Sequence, residues 1–166
     1  MQIKVFVGSV LEVAADLLIC TANPWLNMSG GVNGVVAERA PEVQIELKDH
    51  LTSIGAKSFP AGTVVRTSAG NLPFDHIVHA IAIDPFYDTS RELVSKTLMA
   101  AFDMAVSLES RVVAMPTLAT GYGPMTVEQF AGVFAETIPG CYELEVVTLA
   151  VLTAENAQIV REALAD

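Results

Sequence analysis

The residues best suited to chemistry lie between Cys20 and Gly34, where an apolar strand passes through the turn Thr21-Ala22-Asn23-Pro24-Trp25-Leu26-Asn27 into the glycines Gly30 and Gly31 that open a helix. Leu17-Leu18-Ile19-Cys20 is a continuous apolar run, the pattern of a strand buried on both faces of a sheet. The turn lies at the carboxyl end of that strand, where open α/β sheets place ligands. Gly30 and Gly31 carry no Cβ, so a ligand can approach the backbone, and the first amides of a helix beginning near Val32 have no intrahelical acceptor. Those N–H groups and the positive end of the helix dipole favour a phosphate or a carboxylate. Asn23 donates and accepts hydrogen bonds without carrying charge, which suits a sugar hydroxyl or a carbonyl. The same glycines and asparagines also fit an ordinary strand-to-helix turn that binds nothing.

A second loop repeats the logic. Val112-Val113-Ala114-Met115-Pro116 reads as a strand, and Thr117-Leu118-Ala119-Thr120-Gly121-Tyr122-Gly123-Pro124 as a small-residue turn before a helix. Amides from Thr120 to Gly123 can surround a diphosphate, and Tyr122 offers either an aromatic face to a sugar or a packed ring with a wet hydroxyl. Other candidates read as structural. His76 and His79 flank an apolar strand with no cysteine or carboxylate at metal-ligand spacing, so no metal site is expected. Cys20 and Cys141 lack CxxC spacing and read as reduced thiols, Cys20 as a small packed residue. Trp25 fits core-edge packing or stacking on a ligand, Asp84 and Asp88 bracket a turn that can border a cleft, and Glu38 and Arg39 read as solvated.

These loops need a scaffold, and the pattern supplies one. Strand-like runs at Ile3 to Val7, Leu17 to Thr21, Gly62 to Thr67, His76 to Ile81, Val112 to Met115 and Leu144 to Leu149 alternate with helical patterns, which predicts an α/β layered fold. Thr89 with Glu92 predicts a capping box before Val94, Leu98, Ala101, Phe102 and Ala105 at helical spacing. Thr126 with Gln129 repeats the box before Phe130, Val133 and Phe134, and Thr153 starts a last helix. Pro41 fits the first turn of a helix that stops at Gly55. With 166 residues, 52% of them hydrophobic, and no linker or repeat, the chain reads as one domain over residues 1–166. A net charge of −10 argues against a broad grip on nucleic acid. No stretch has the length of a membrane span, and no basic region precedes a long apolar core, so a soluble cytoplasmic protein is expected. A Rossmann or P-loop enzyme is disfavoured, since neither GxGxxG nor GxxxxGK[ST] occurs.

Taken together the motifs resemble the macrodomain family, the ADP-ribose-binding module, over nearly the whole chain. Gly8-Ser9-Val10 stands where the family has Gly-Asp-Ile, Asp16-Leu17-Leu18-Ile19-Cys20-Thr21-Ala22-Asn23 where it has Asp-Ala-Ile-Val-Asn-Ala-Ala-Asn, Gly30-Gly31-Val32 where it has Gly-Gly-Val, and Pro116 to Gly123 where it has a proline and a Thr-Gly phosphate loop. The resemblance implies a three-layer α/β/α fold with a mixed, largely parallel central sheet. It implies a cleft for ADP-ribose or an ADP-ribosylated protein, without a cofactor. Ser9 and Val10 would lie near adenine, Asn23 near the distal ribose, Gly30, Gly31 and Val32 along that ribose and the phosphates, and Ala119, Thr120, Gly121, Tyr122 and Gly123 around the diphosphate.

The departures bear on mechanism. Ser9 replaces a charged acceptor by a neutral one, and charge-assisted bonds are the stronger. The phosphate loop is one residue shorter than the family's Thr-Gly-Ile-Tyr-Gly form. Asn33 stands where hydrolase-type members commonly carry an aspartate that activates or orients water. Asparagine is no carboxylate base, although it positions water by hydrogen bonding. The residues fit two activities: ADP-ribose binding with weak hydrolysis, or a hydrolase of ADP-ribosyl conjugates in which Asn23 and Asn33 position water and substrate.

Overall fold

The computed structural model describes residues 1–140 and 143–166; Cys141 lies outside the described residues. Among these, the strands β1 (Gln2–Val7), β2 (Leu17–Thr21), β3 (Val64–Thr67), β4 (His76–Ala80), β5 (Val112–Pro116) and β6 (Val146–Val151) form one sheet in the order β1-β6-β5-β2-β4-β3. All neighbours run parallel except β3, which is antiparallel to β4. The fold is thus α/β with a mixed sheet. The helices are α1 (Gly31–Arg39), α2 (Pro41–Ser53), α3 (Arg91–Ser107), α4 (Val127–Thr137) and α5 (Ala154–Ala165).

The two-residue period of a strand explains the three layers. Leu17 and Ile19 of β2 join Val94, Leu98 and Phe102 of α3 and Phe130 and Phe134 of α4 in one buried cluster. Leu18 and Cys20 join Val36 and Val43 of α1 and α2 in the cluster on the other face. A strand buried on both faces has no room for polar alternation, which is why the apolar run at 17–20 reads so cleanly. Each fully buried Leu, Ile or Phe contributes about 1.5–3 kcal/mol relative to exposure.

The helix starts obey local chemistry with one correction. Thr126 and Gln129 form the reciprocal capping box, and Thr153 accepts from the Asn156 amide. The start of α3 differs from the Thr89–Glu92 expectation: Ser90 is the cap, accepting from the Leu93 amide at 3.0 Å. Thr89 lies one residue too early and turns its hydroxyl inward to donate to the Ala82 carbonyl at 2.6 Å. Strand ends also shift by up to two residues, β3 beginning at Val64 and β6 spanning Val146–Val151. Such boundaries depend on ladder partners that no local pattern specifies.

One feature of the sheet opens the site. β2 and β4 are in register over five pairs, Leu17↔His76 to Thr21↔Ala80, whereas β2 and β5 pair only at Leu17↔Val113 and Leu18↔Ala114. Asp16 pins the amino ends of the latter pair, its carboxylate accepting from the Arg111 and Val112 amides, both at 3.0 Å. Towards the carboxyl ends the ladder stops short of Pro116, which has no N–H to donate. The central strands therefore separate where a cleft is wanted.

Candidate functional site

A cavity of about 220 Å³ fills this opening at the carboxyl ends of β5, β2 and β4. The end of β2, the loop after it and the start of α1 contribute Thr21, Ala22, Asn23, Asn27 and residues 29–33. Ile83 and Tyr87 come from the loop after β4, Pro116 from the end of β5, and Ala119, Gly121, Tyr122 and Gly123 from the loop after it. Its wall carries no carboxylate, imidazole, guanidinium or amine among the described residues. Any attraction for an anion must come from backbone dipoles.

Those dipoles are available. Gly30 takes φ 66° and ψ 163°, a conformation open essentially to glycine alone, and this lets α1 start without a side-chain cap. The Gly30 carbonyl accepts from Gly34, so the Gly31, Val32 and Asn33 amides have no acceptor within the helix. Across the cleft, Ala119 takes φ 58° and its carbonyl accepts from the Met125 amide at 3.1 Å, closing the loop. A Cβ at Gly123 would collide with that same carbonyl. Among the described residues, the Gly121, Tyr122 and Gly123 amides have no protein acceptor. Tyr122, 70% exposed, arches over the cleft with its hydroxyl against Gly30, where a Cβ would again collide. Gly123 is required by close approach to the Ala119 backbone, and Gly30 by its left-handed φ.

Asn23 and Asn33 do different work. Asn23 Oδ1 accepts from the Trp25 amide at 3.1 Å and the Asn27 amide at 3.2 Å, while Nδ2 donates to the Asn27 carbonyl at 3.0 Å. Its side chain thus shapes the loop while also lining the cavity. Gln44 of α2 fixes the same loop from behind, accepting from the Met28 amide at 2.7 Å and donating to the Leu26 carbonyl at 2.9 Å. Asn33 Nδ2 donates to the Thr21 carbonyl at 2.6 Å, which turns Oδ1 the other way. That oxygen is buried without a protein partner among the described residues. A buried acceptor left alone costs about 1–3 kcal/mol, so a ligand hydroxyl or a water that donates to it is favoured.

Other residues named from sequence fall outside the cavity wall. The Ser9 hydroxyl accepts from the Leu11 amide at 3.3 Å and caps a 3-10 turn over Val10–Glu12, with Val10 buried beneath. The Thr120 hydroxyl pairs with that of Thr117 at 2.6 Å. Conversely, Ile83 and Tyr87 line the cavity, although the sequence pattern marks their segment only as a turn that can border a cleft. A stronger signal is present in the chain: Asp84-Pro85-Phe86-Tyr87-Asp88 has the same form as Asn23-Pro24-Trp25-Leu26-Asn27. Glu38 and Arg39 are exposed.

The buried titratable groups stand apart from the cleft. His79 lies 2.9 Å from the Thr67 hydroxyl, and burial lowers its pKa to about 3. Cys20 is fully buried, and desolvation raises its thiol to about 12. At pH 8 its thiolate fraction is about 1,000-fold below that of an unburied cysteine, since three pKa units separate the two. Iodoacetamide should therefore leave Cys20 unlabelled in the native chain and label it in urea. Peptide mass spectrometry reads the difference, and equal labelling in both states would contradict the burial.

A cleft lined by amides at the strand ends of an α/β/α sandwich has counterparts among known proteins. A family model described as Macro domain matches residues 19–134, from β2 through most of α4. The chain belongs to the Macro domain family. An uncharacterized protein of Aquifex aeolicus is 35% identical to this macrodomain over 148 residues, 86% of this chain and 87% of that one. A protein of Klebsiella pneumoniae named O-acetyl-ADP-ribose deacetylase is 28% identical over 174 residues, 99% and 97% of the two chains. Among solved structures, a variant of the Oceanobacillus iheyensis macrodomain with ADPR superposes with a TM-score of 0.87 at 20% identity, covering 97% of this chain and 90% of that one. The macrodomain fold therefore holds across most of the sequence's divergence.

Proposed function

We propose that this macrodomain binds ADP-ribose, with the ribose remote from adenine and the diphosphate in the neutral cavity. The observation that carries the reading is that, among the described residues, two sets of unpartnered amides, Gly31 to Asn33 and Gly121 to Gly123, line one cavity with no charged side chain. Converging amides and a helix start attract phosphate oxygens without a cation. The orphaned Asn33 Oδ1 accepts from a ribose hydroxyl or from a water beside it. Asn23 supports this by holding the loop, and Tyr122 by covering the phosphates. The cavity is smaller than the roughly 300–1,000 Å³ of a cleft that engulfs a whole ligand. The adenine half accordingly lies over the rim, towards Ser9 and Val10. The name of the Klebsiella relative favours hydrolysis of an ADP-ribose ester as a second reading. With no carboxylate or imidazole in the wall among the described residues, such a reaction relies on Asn33 to orient water and on the substrate's phosphate to take its proton.

Calorimetric titration with ADP-ribose tests the first reading. One saturable site is expected, and its Kd should vary by less than about twofold between pH 6 and 8, because neither the wall nor the diphosphate titrates there. No heat at about 1 mM ligand would overturn it. Acetate release from O-acetyl-ADP-ribose tests the second reading. A rate equal to the blank removes it for that ester.

A further inference from the structure

The loops after β2 and β4 are twins. In Asn23-Pro24-Trp25-Leu26-Asn27, the first side chain accepts from the amides two and four residues on. In Asp84-Pro85-Phe86-Tyr87-Asp88, Asp84 Oδ1 likewise accepts from the Phe86 amide at 2.8 Å and the Asp88 amide at 3.0 Å. Both fourth residues are left-handed, Leu26 at φ 56° and Tyr87 at φ 60°. Because β2 and β4 are sheet neighbours, the turns stand side by side at the mouth of the cavity. They bring the Trp25 and Tyr87 rings to a centroid distance of 5.9 Å and leave Phe86 89% exposed. Tyr87 belongs to both the cavity wall and this patch, so the aromatic faces adjoin the cavity.

We propose that this aromatic rim docks a basic peptide segment, making the favoured ligand an ADP-ribosylated protein with Lys or Arg beside the modified residue. The inference rests on the reading of the cavity as an ADP-ribose site. Charge selects the occupant. Trp, Tyr and Phe faces attract ammonium and guanidinium groups. Asp84 and Asp88 flank the rings, and among the described residues neither enters an ion pair. The chain's net charge of −10 repels acidic peptides, nucleic acid and a second copy of itself. A rigid turn that holds a phenylalanine in water gains nothing in folding, and exposed apolar patches at a cleft mark contact surfaces.

Two synthetic peptides, each with one ADP-ribosylated serine, test this by fluorescence anisotropy. One has Lys and Arg at the flanking positions and the other Glu. The wild type should bind the basic conjugate about tenfold more tightly, and the ratio should shrink between about 50 and 300 mM salt. Phe86→Ala and Asp88→Asn, neither in the cavity wall, should each cut the ratio to about threefold or less while binding free ADP-ribose as the wild type does. Equal affinities for both peptides in a wild type that binds free ADP-ribose would overturn the docking site alone. A chain that binds neither free ADP-ribose nor either conjugate would overturn the cavity reading with it. Tighter binding of the acidic conjugate or of a single-stranded oligonucleotide, or a dimer lost on Phe86→Ala, would also overturn it.

Discussion

Asn33→Asp is expected to weaken the protein and its ligand binding, although an aspartate at this position is what a water-activating carboxylate would suggest. The amide of Asn33 donates to the Thr21 carbonyl at 2.6 Å. A carboxylate there sets lone pairs against lone pairs in a half-buried place and adds negative charge to a cavity whose proposed ligand is anionic. The cost at pH 8 should be about 2–4 kcal/mol of folding stability, from one lost bond and one uncompensated charge. Affinity for ADP-ribose should fall at least about tenfold, since a like charge is introduced into a site with no cation. The sign with pH follows from the acid form. Repulsion raises the introduced carboxyl's pKa in the folded state, so the deficit is full at high pH and fades as pH falls towards the unfolded value, where its O–H donates to Thr21. Asn33→Ala provides the contrast, losing the bond with no pH dependence. Urea denaturation at pH 5 and 8, with calorimetry at pH 8, measures both effects. A variant as stable as wild type at pH 8 would show that Asn33 does not need its donor.

The second large effect lies outside the cleft. His79 is buried, and its pKa of about 3 in the folded chain sits well below the unfolded value of 6.5. The folded state holds the ring neutral, so its contribution is fully present above pH 6.5 and is lost as pH falls from 6.5 towards 3. Well below 6.5 each pH unit corresponds to about 1.4 kcal/mol, so stability should drop by roughly 2 kcal/mol between pH 6.5 and 4.5 from this residue alone. His79→Gln keeps a polar partner for Thr67 and removes the titration. Its stability at pH 7 should fall, yet its decline with acid should be shallower than the wild type's by that amount. Identical slopes in urea melts from pH 7 to 4.5 would mean that the ring becomes protonated in place.

Much of the fold was legible because its determinants are local. The double-faced run Leu17 to Cys20, the capping box at Thr126, the N-cap at Thr153, and Pro41 with Gly55 each specify an element within a few residues. The exception, Ser90 in place of Thr89, was decided by the Ala82 carbonyl, which lies seven residues away in sequence and beside Thr89 only after folding.

For the site, the sequence by itself determined the materials. These are glycines at 30, 31, 121 and 123, an uncharged wall, and Asn33 where a carboxylate was the alternative. Glycine requirements and charge are properties of residue type, so they survive without coordinates. The tertiary structure alone decided three things: the separation of β2 from β5 that makes the cavity, the Thr21 carbonyl that holds Asn33, and the meeting of two Asx-Pro turns some sixty residues apart in one aromatic rim. Each joins groups distant in the chain, and strand order in the sheet, which no single segment encodes, sets which of them become neighbours.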